Sequence, residues 1–345
     1  MITAIDFGSY AIRSAWRTDG VGAPIRLCTE RSQYCVLPDQ DVFRESLESR
    51  SIPYAACDQT LVVFGNRADS VRWLSRQPCA PLFDEGRIPT QDAPARQILN
   101  VLTRAMLPRP TSPDAKCYYT IPGGRSKAQN TEFLSRLIRM QGYVPCSLTS
   151  AETVMLAAGV DTAFTGVTVV MGAECCEVSV CRHGNLLSLE TVDVGANWMD
   201  TELAKQFRFR MWDSEGECYL DLDAVREWKH SGRLHLRSGV GEREKLLGRL
   251  YGTVLDRVCR AIRQLLSLPL VKRSLGSERL TILCAGGPTQ VKGFAGMLTE
   301  RLVDHEIAGD IVAVRIVDNP DSAVVRGLLI QGELERQMSR GTRAA

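Results

Sequence analysis

The pattern of apolar and polar positions predicts two similar strand–turn–strand units that lie far apart in the chain. Residues 2–17 consist of an apolar stretch, a break at Gly8 and an alternating stretch, followed by a turn signal at 18–20. Residues 167–181 repeat this layout around Gly172. The repeat indicates either two related halves that open with the same hairpin, or the coincidence of two common hairpins.

Along the rest of the chain, stretches with helical spacing alternate with short apolar runs. The helical spacing covers residues 93–107, 126–141, 149–158, 199–208, 222–230, 241–268, 294–303 and 321–336. The short apolar runs cover residues 61–64, 118–121, 186–194, 280–285 and 311–317. Strands that alternate with helices predict an α/β architecture in which helices cover the sheets.

The composition narrows the class of protein. The 345 residues are 44% hydrophobic and 24% charged with a formal net charge of +2, which excludes a disordered chain and argues against a nucleic-acid-coating protein. No apolar run approaches the roughly 20 residues that span a bilayer, and the first residues do not resemble a signal peptide. The twelve cysteines include no CxxC pair, so we expect reduced thiols rather than a zinc site. These features predict a cytoplasmic protein.

Three glycine-bearing turns follow apolar strands. They read FGSY at 7–10, MGAEC at 171–175 and CAGGPTQ at 284–290. A tight turn can point several backbone N–H groups the same way, which suits a phosphate group. A single glycine after a strand is usually only a turn, so the interest lies in three of them, two at equivalent places.

The order of these motifs resembles that of the actin, sugar kinase and heat-shock chaperone ATPase superfamily, and within it the bacterial actin MreB. The segments that carry the resemblance are IDFGSYAIRSAW, YYTIPGGRSKAQNTEFLSRLIRMQGY, SAETVMLAAG, GVTVVMGAECCEVSV, ILCAGGPTQVKGFAGML and DNPDSAVVRGLLI. They run in family order from residue 2 to about residue 335. The resemblance therefore covers nearly the whole chain.

The resemblance implies an α/β, actin-like ATPase fold with two duplicated α/β domains around an interdomain nucleotide cleft. It places domain I at residues 1–149 plus 316–345 and domain II at residues 150–315, with an inserted subdomain at about 197–255. The last helix would then return to the first domain.

The resemblance also implies which residues face the nucleotide. Asp6 would hold Mg²⁺, a hard cation that prefers oxygen ligands, and Glu152 would act with Asp6 in catalysis. The residues expected to contact ATP or ADP are Gly8, Ser9, Tyr10, Ala11, Arg13, Gly172, Ala173, Glu174, Cys175, Arg226, Lys229, Gly286, Gly287, Pro288 and Thr289. Without the resemblance, Arg226 and Lys229 fit a solvated helix face, and Glu152 fits a carboxylate that the helix dipole favours.

The second phosphate loop departs from the family pattern. Val170 stands where an aspartate is expected, Glu174 stands at a glycine, and Cys175 and Cys176 stand at threonines. A carboxylate at Glu174 would repel a phosphate at close range. Either Mg²⁺ bridges Glu174 to the phosphates, or the loop has withdrawn from the nucleotide. In both cases we expect weak or absent ATP hydrolysis.

The leading interpretation is an MreB-like bacterial actin homologue, an adenine-nucleotide-binding cytoskeletal protein that forms cell-shape filaments. It would associate with itself and with other morphogenetic proteins, not with nucleic acid, and would contact the inner face of the cell membrane at most peripherally. The alternative is a degenerate actin-fold scaffold or adaptor without ATPase activity. A small-molecule kinase of the same superfamily is less consistent with the short chain.

Overall fold

The computed structural model describes residues 1–18, 23–121, 123, 127–213, 215–230 and 234–344. Two expected features are not fully covered by the described residues. These are the turn expected at 18–20, of which residues 19 and 20 lie outside, and the helix expected at 126–141, of which residue 126 lies outside. The other expected helices and strands are present with bounds shifted by up to three residues, except that the last helix continues to Ala344, eight residues beyond its expected end. Such shifts are usual because helix ends fray.

The strands of the described residues are, in chain order, β1 (Ile2–Phe7), β2 (Ala11–Arg17), β3 (Arg26–Arg31), β4 (Gln33–Pro38), β5 (Ala55–Cys57), β6 (Thr60–Phe64), β7 (Ala80–Pro81), β8 (Lys116–Thr120), β9 (Val144–Ser147), β10 (Gly166–Met171), β11 (Cys176–Arg182), β12 (Asn185–Val192), β13 (Arg210–Trp212), β14 (Cys218–Leu220), β15 (Leu280–Ala285) and β16 (Ile311–Ile316). The α-helices are α1 (Asp41–Ser49), α2 (Asn66–Asp69), α3 (Arg72–Ser75), α4 (Ala93–Met106), α5 (Lys127–Met140), α6 (Ser150–Ala158), α7 (Ala196–Phe207), α8 (Leu222–His230), α9 (Glu242–Ser267), α10 (Pro269–Leu275), α11 (Phe294–Asp304) and α12 (Ala323–Ala344).

Two five-stranded sheets share one topology. Their strand orders are β3-β2-β1-β8-β9 and β12-β11-β10-β15-β16, and in each an antiparallel three-stranded meander continues into two parallel strands. The two hairpins also share their register, because Asp6 pairs with Arg13 as Val170 pairs with Glu177. This equivalence supports the duplication over the coincidence of two hairpins. The mixed α/β architecture is confirmed.

Helices α6 and α12 pack against each other where the two halves meet. Buried residues of α12, among them Val325 and Leu328, pack with Ala4 of β1 in the first half. Residues of α6 such as Val154 pack with Ala285 of β15 in the second half. The chain therefore returns to its first sheet at the end, while the domain boundaries drawn from the sequence stay a prediction.

Each half carries a smaller outer unit. The first has the sheet β5-β6-β4-β7 with its own core, formed by residues such as Leu37, Leu47 and Val63. In the second, the hairpin β13–β14 adjoins α7, which also packs against α8. The two outer units meet through ion pairs such as that of Arg72 with Asp221 at 3.3 Å. Among the helices of the described residues, none has the length and apolarity that crossing a bilayer requires.

The crossing of α6 and α12 depends on a glycine. A Cβ at Gly327 would collide with the backbone carbonyl of Thr153, which cannot move independently of its helix. We therefore expect Gly327→Ala to destabilise the protein by about 1–3 kcal/mol in urea unfolding, despite the better helix propensity of alanine. Gly296→Ala in α11 is the matched control, because its new Cβ would meet only the movable end of Arg237. Equal effects of the two substitutions would contradict this account.

Candidate functional site

A cavity of about 480 Å³ lies between the two halves. Its wall includes both hairpin turns, the loop after β15 and one face of α8. Of the residues expected to face a nucleotide, the cavity wall contains Asp6, Gly8, Ser9, Tyr10, Ala11, Arg13, Gly172, Ala173, Glu174, Cys175, Arg226, Lys229, Gly286, Gly287 and Pro288. It contains neither Glu152 nor Thr289.

The first turn is held tightly at the cavity wall. A Cβ at Gly8 would lie 2.6 Å from the carbonyl oxygen of Ala11, so the turn leaves no room for a side chain there. The Ser32 hydroxyl donates a hydrogen bond to the Gly8 carbonyl at 2.6 Å. The close approach of Ala11 and the hydrogen bond from Ser32 therefore both hold the backbone of the turn at the cavity wall.

Asp6 lies at the end of β1, below this turn. It is 9% exposed, and its Oδ1 accepts a hydrogen bond of 2.6 Å from the hydroxyl of Thr120 on the neighbouring strand β8. Burial raises the pKa of Asp6, and Arg13 and the Thr120 hydroxyl offset part of this increase. A buried carboxylate at a cavity wall is a suitable oxygen ligand for a hard cation.

The raised pKa has a consequence for stability. A carboxyl group whose pKa is higher in the folded state stabilises the fold while protonated, and this contribution is lost as the pH rises through the folded-state pKa. We therefore expect Asp6→Asn to raise the free energy of unfolding at neutral pH by about 0.5–2 kcal/mol, as often happens at functional sites. Urea unfolding across the acidic range tests this, because the gain should shrink where Asp6 carries its proton. A gain that did not depend on pH would contradict the prediction.

The second turn, Gly172 to Cys175, remains in the cavity wall. The N–H groups of Ala196 and Asn197 bond to the carbonyls of Gly172 and Ala173 at 3.0 and 2.8 Å, which pins the turn to the start of α7. The second turn therefore lies at the cavity, and both expectations for its relation to the nucleotide stay predictions.

Glu174 projects its carboxylate at this second turn. Its Oε1 accepts a hydrogen bond from the Asn197 side chain. Burial raises the pKa of Glu174, Asp84 and Glu85 raise it further, and Arg226 acts in the opposite direction. The carboxylate therefore lies in an acidic, partly desolvated environment, where a cation would relieve the repulsion.

Glu177 is a cavity residue that the sequence reasoning missed. It is 3% exposed, lines the cavity and accepts a hydrogen bond of 3.2 Å from the N–H of Ala151 at the start of α6. It pairs directly across the hairpin with Val170, so the two side chains share one face of the sheet. The signal was present in the sequence, because the offset that aligns Gly8 with Gly172 also aligns Arg13 with Glu177.

Glu152 lies outside the cavity wall, and its catalytic role stays a prediction. The first turn of α6 contributes Ser150, not Glu152, to the cavity wall. Successive helical residues are rotated by about 100°, so a residue two positions on points away from the face that Ser150 presents. The backbone N–H of Glu152 is capped by Thr149 at 3.1 Å. The arrangement agrees with the alternative of a carboxylate in the first turn of a helix.

Arg226 and Lys229 of α8 do not form a solvated helix face. Their side chains are only 17% and 13% exposed, and both form ion pairs with Asp200, which is 2% exposed. Arg226 also pairs with Asp223 at 2.9 Å and donates to Asn197 Oδ1 at 3.0 Å. These contacts orient both cations along the cavity wall.

The loop after β15 brings backbone to the cavity. Gly286 has a φ of 98°, and a Cβ there would collide with the carbonyl of Met171, whereas a Cβ at Gly287 would meet open space. Tyr251 donates a hydrogen bond of 2.9 Å to the Pro288 carbonyl. Thr289 is fully buried and its hydroxyl donates to the Gly286 carbonyl at 2.8 Å, so it shapes the loop from behind instead of lining the cavity.

A cluster of charged side chains joins the outer units of the two halves. We call it the bridging cluster; it consists of Tyr10, Arg31, Arg72, Asp221, Asp223, Arg226 and Glu227. The guanidinium carbons of Arg31 and Arg226 lie 4.0 and 5.5 Å from the centre of the Tyr10 ring. Arg72 reaches Asp223 at 3.2 Å and Glu227 at 2.8 Å. The bridging cluster holds the outer units together beside the cavity.

Comparison with known proteins places this geometry in context. The family model described as Volactin matches residues 1–332. A structure titled "MamK double helical filament" matches with a TM-score of 0.66 and 15% identity, over 96% of this chain and 98% of that one. Two crystal structures of MreB 5 of Spiroplasma citri, bound to AMPPNP and to ADP, each match with a TM-score of 0.66 and 12% identity. They cover 99% and 100% of this chain and 98% of theirs. No curated protein matches the sequence. The actin-like fold close to MreB is thereby confirmed.

Proposed function

The chain belongs to the Volactin family, and we propose that it is an actin-like protein that binds an adenine nucleotide in the cavity between its halves and assembles into filaments. The observation that carries the proposal is the convergence of both hairpin turns and the Gly286–Gly287 backbone on one cavity. Exposed backbone N–H groups at such turns suit phosphate oxygens, and a loop without side chains lets a flat base approach.

The phosphate end of the ligand would lie between the two hairpin turns. Arg13 would supply positive charge there, with the two-pronged geometry of a guanidinium. Arg226 and Lys229 would line the opposite, adenosine end, together with Pro288. Their ion pairs with Asp200 keep them extended along the wall, so little conformational freedom is lost on binding.

The residues of the site fit Mg²⁺ that arrives with the nucleotide. Mg²⁺ usually keeps several waters and takes one or two carboxylates in addition to substrate phosphates. Asp6 and Glu177 are both buried carboxylates in the cavity wall, and Glu174 adds a third. When bound, the cation would neutralise phosphate charge. Asp6 and Glu177 would orient its water shell, and the Thr120 hydroxyl would hold Asp6 in place.

Hydrolysis would be slow or absent. Phosphoryl transfer depends on positioning and on charge neutralisation around the transferred group. The Val170 side chain offers no polar atom at the second hairpin. Glu174 adds a negative charge at the place where the negative charge of the phosphates would have to be neutralised. The chain would therefore use its nucleotide as a conformational ligand more than as a substrate.

Filament formation is supported by likeness alone. The matched structures include one described as a double helical filament and two with AMPPNP or ADP. We propose self-association of the same kind, in the cytoplasm. The proposal extends to morphogenetic partner proteins and to peripheral contact with the inner face of the membrane. The competing proposal is a scaffold that keeps the fold without nucleotide, and it is favoured by the valine at position 170.

Two measurements separate these proposals. Isothermal titration calorimetry with ATP and Mg²⁺, with ADP and with GTP measures binding and base preference. Sedimentation and negative-stain electron microscopy with and without ATP measure assembly. Binding of ATP with nucleotide-dependent pelleting supports the first proposal. Filaments without nucleotide binding would support the scaffold. The absence of both nucleotide binding and assembly would refute both proposals.

A further inference from the structure

Two cysteines lie at one strand pair in the outer unit of the first half, Cys35 within β4 and Cys79 directly before β7. Strands β4 and β7 are antiparallel, with Gln33 opposite Pro81 and Tyr34 opposite Ala80. Continuing this register by one residue sets Cys35 opposite Cys79. Directly opposed residues of antiparallel strands lie about 4.5–5.5 Å apart at Cα and point to one side of the sheet. Disulfide bonds require about 4.4–6.8 Å between Cα atoms.

Cys79 packs against the buried cluster of the outer unit that contains Cys35. The Cys35 and Cys79 side chains form a hydrogen bond, and the Cys35 sulfur lies 3.4 Å from Ser75 Oγ. The hydrogen bond from Cys79 lowers the pKa of Cys35 to about 7, against the effect of burial and with a smaller contribution from Ser75. The same hydrogen bond, burial, and the nearby carboxylates of Asp223 and Asp69 raise the pKa of Cys79. The contact therefore favours the thiolate of Cys35 over the thiolate of Cys79.

We infer that Cys35 and Cys79 form a reversible dithiol–disulfide couple that responds to hydrogen peroxide. The Cys35 thiolate attacks one oxygen of hydrogen peroxide and the O–O bond breaks. The sulfur is thereby oxidised to a sulfenic acid, and the hydroxide that leaves takes up a proton from solvent as water. The Cys79 sulfur then attacks the sulfenic sulfur, the S–S bond forms, and a second water leaves. Two thiols and one peroxide thus give one disulfide and two waters, and an external dithiol reverses the bond by exchange.

A second pair of cysteines on neighbouring strands lacks this geometry. Cys117 of β8 and Cys146 of β9 lie on adjacent parallel strands, but Cys117 pairs with Pro145 and Cys146 pairs with Tyr118. A shift of one residue along a strand turns the side chain to the other face of the sheet. Cys117 and Cys146 therefore serve as an internal control with similar burial and strand environment.

The couple lies at one end of the segment that reaches the second half. Residues 72–78 precede Cys79, and within them Arg72 belongs to the bridging cluster and Gln77 donates to Asp213 at 3.2 Å. The reduced segment is attached to the outer sheet through the two-residue strand β7. A disulfide at Cys79 would anchor the segment covalently to β4. Oxidation is therefore expected to restrict the movement of the two outer units relative to each other.

The test uses the full chain, reduced and then treated with hydrogen peroxide. Non-reducing peptide mapping by mass spectrometry should find Cys35 linked to Cys79 as the dominant disulfide, with loss of two hydrogen atoms, and dithiothreitol should restore both thiols. Cys79→Ser should lose the linkage, while the control Cys146→Ser should keep it. Hydrogen exchange at residues 72–78 should slow severalfold on oxidation of the wild type and stay unchanged in Cys79→Ser.

The wild-type map keeps the inference testable even if a variant folds poorly. Absence of the Cys35–Cys79 linkage in folded wild-type protein, dominance of another pairing, or conversion of Cys35 to sulfinic acid without a linkage would each overturn it. A linkage that forms without slower exchange at residues 72–78 would refute the mechanical consequence while leaving the couple in place.

Discussion

Gly287→Asp is expected to weaken ATP binding by roughly ten- to a hundredfold, about 1.4–2.8 kcal/mol. A Cβ at Gly287 meets no atom within 4 Å, so the variant should fold, and its carboxylate should extend into the cavity. There it would occupy the space along which the ligand approaches and would repel a polyphosphate. Calorimetry with ATP and Mg²⁺, together with urea unfolding, separates lost binding from lost stability.

Gly309→Asp is the matched control for this substitution. Gly309 is also a glycine whose Cβ would meet open space, but it is exposed and lies outside the cavity wall. It adds the same net charge to the chain, so it should leave ATP affinity unchanged. Unaltered affinity in a folded Gly287→Asp variant would remove the loop after β15 from the proposed site. Equal losses in both variants would indicate a general charge effect.

The double substitution Val170→Asp with Glu174→Gly is expected to raise ATP turnover by about a hundredfold to a thousandfold. This is the change in rate that the loss of one well-placed electrostatic group typically causes in an active site. It restores a carboxylate at the second hairpin and removes one from the turn beside it. The new aspartate would stand directly opposite Glu177, and like charges across a strand pair repel. The gain should therefore require Mg²⁺, and the variant should be less stable than the wild type without it. Phosphate release at saturating ATP measures the effect.

Two further substitutions in this background distinguish the candidate acids. Glu177→Gln should abolish the gain, because Glu177 lines the cavity beside position 170. Glu152→Ala should leave most of the gain intact, because Glu152 lies outside the cavity wall. The opposite result would restore the role that family resemblance gave to Glu152. A wild-type rate equal to that of an ATPase-competent actin homologue would refute the premise that the second loop is impaired.

The two hairpins are the part of the fold that the sequence predicted best. Their strands, their breaking glycines and their repeat were all predicted, because strand alternation and turn chemistry act over a few residues. Glu177 was missed because strand alternation predicts that a residue faces inward, but not what it faces. Thr289 and Glu152 lie outside the cavity wall, although the resemblance places both at the nucleotide site. A motif assigns neighbouring residues to one site, whereas successive side chains point in different directions.

The sequence by itself determined the α/β class, the duplicated hairpins and the glycine turns that bring backbone to the cavity, since these follow from local periodicity and local conformational freedom. Only the tertiary structure decided that Asp200 joins Arg226 and Lys229, that Gly327 meets the backbone of Thr153, and that Cys35 faces Cys79. These pairs are separated by 26 or more residues of chain. Their contacts arise from strand register and helix crossing, which are selected by the packing of the whole core and are not encoded in any one segment.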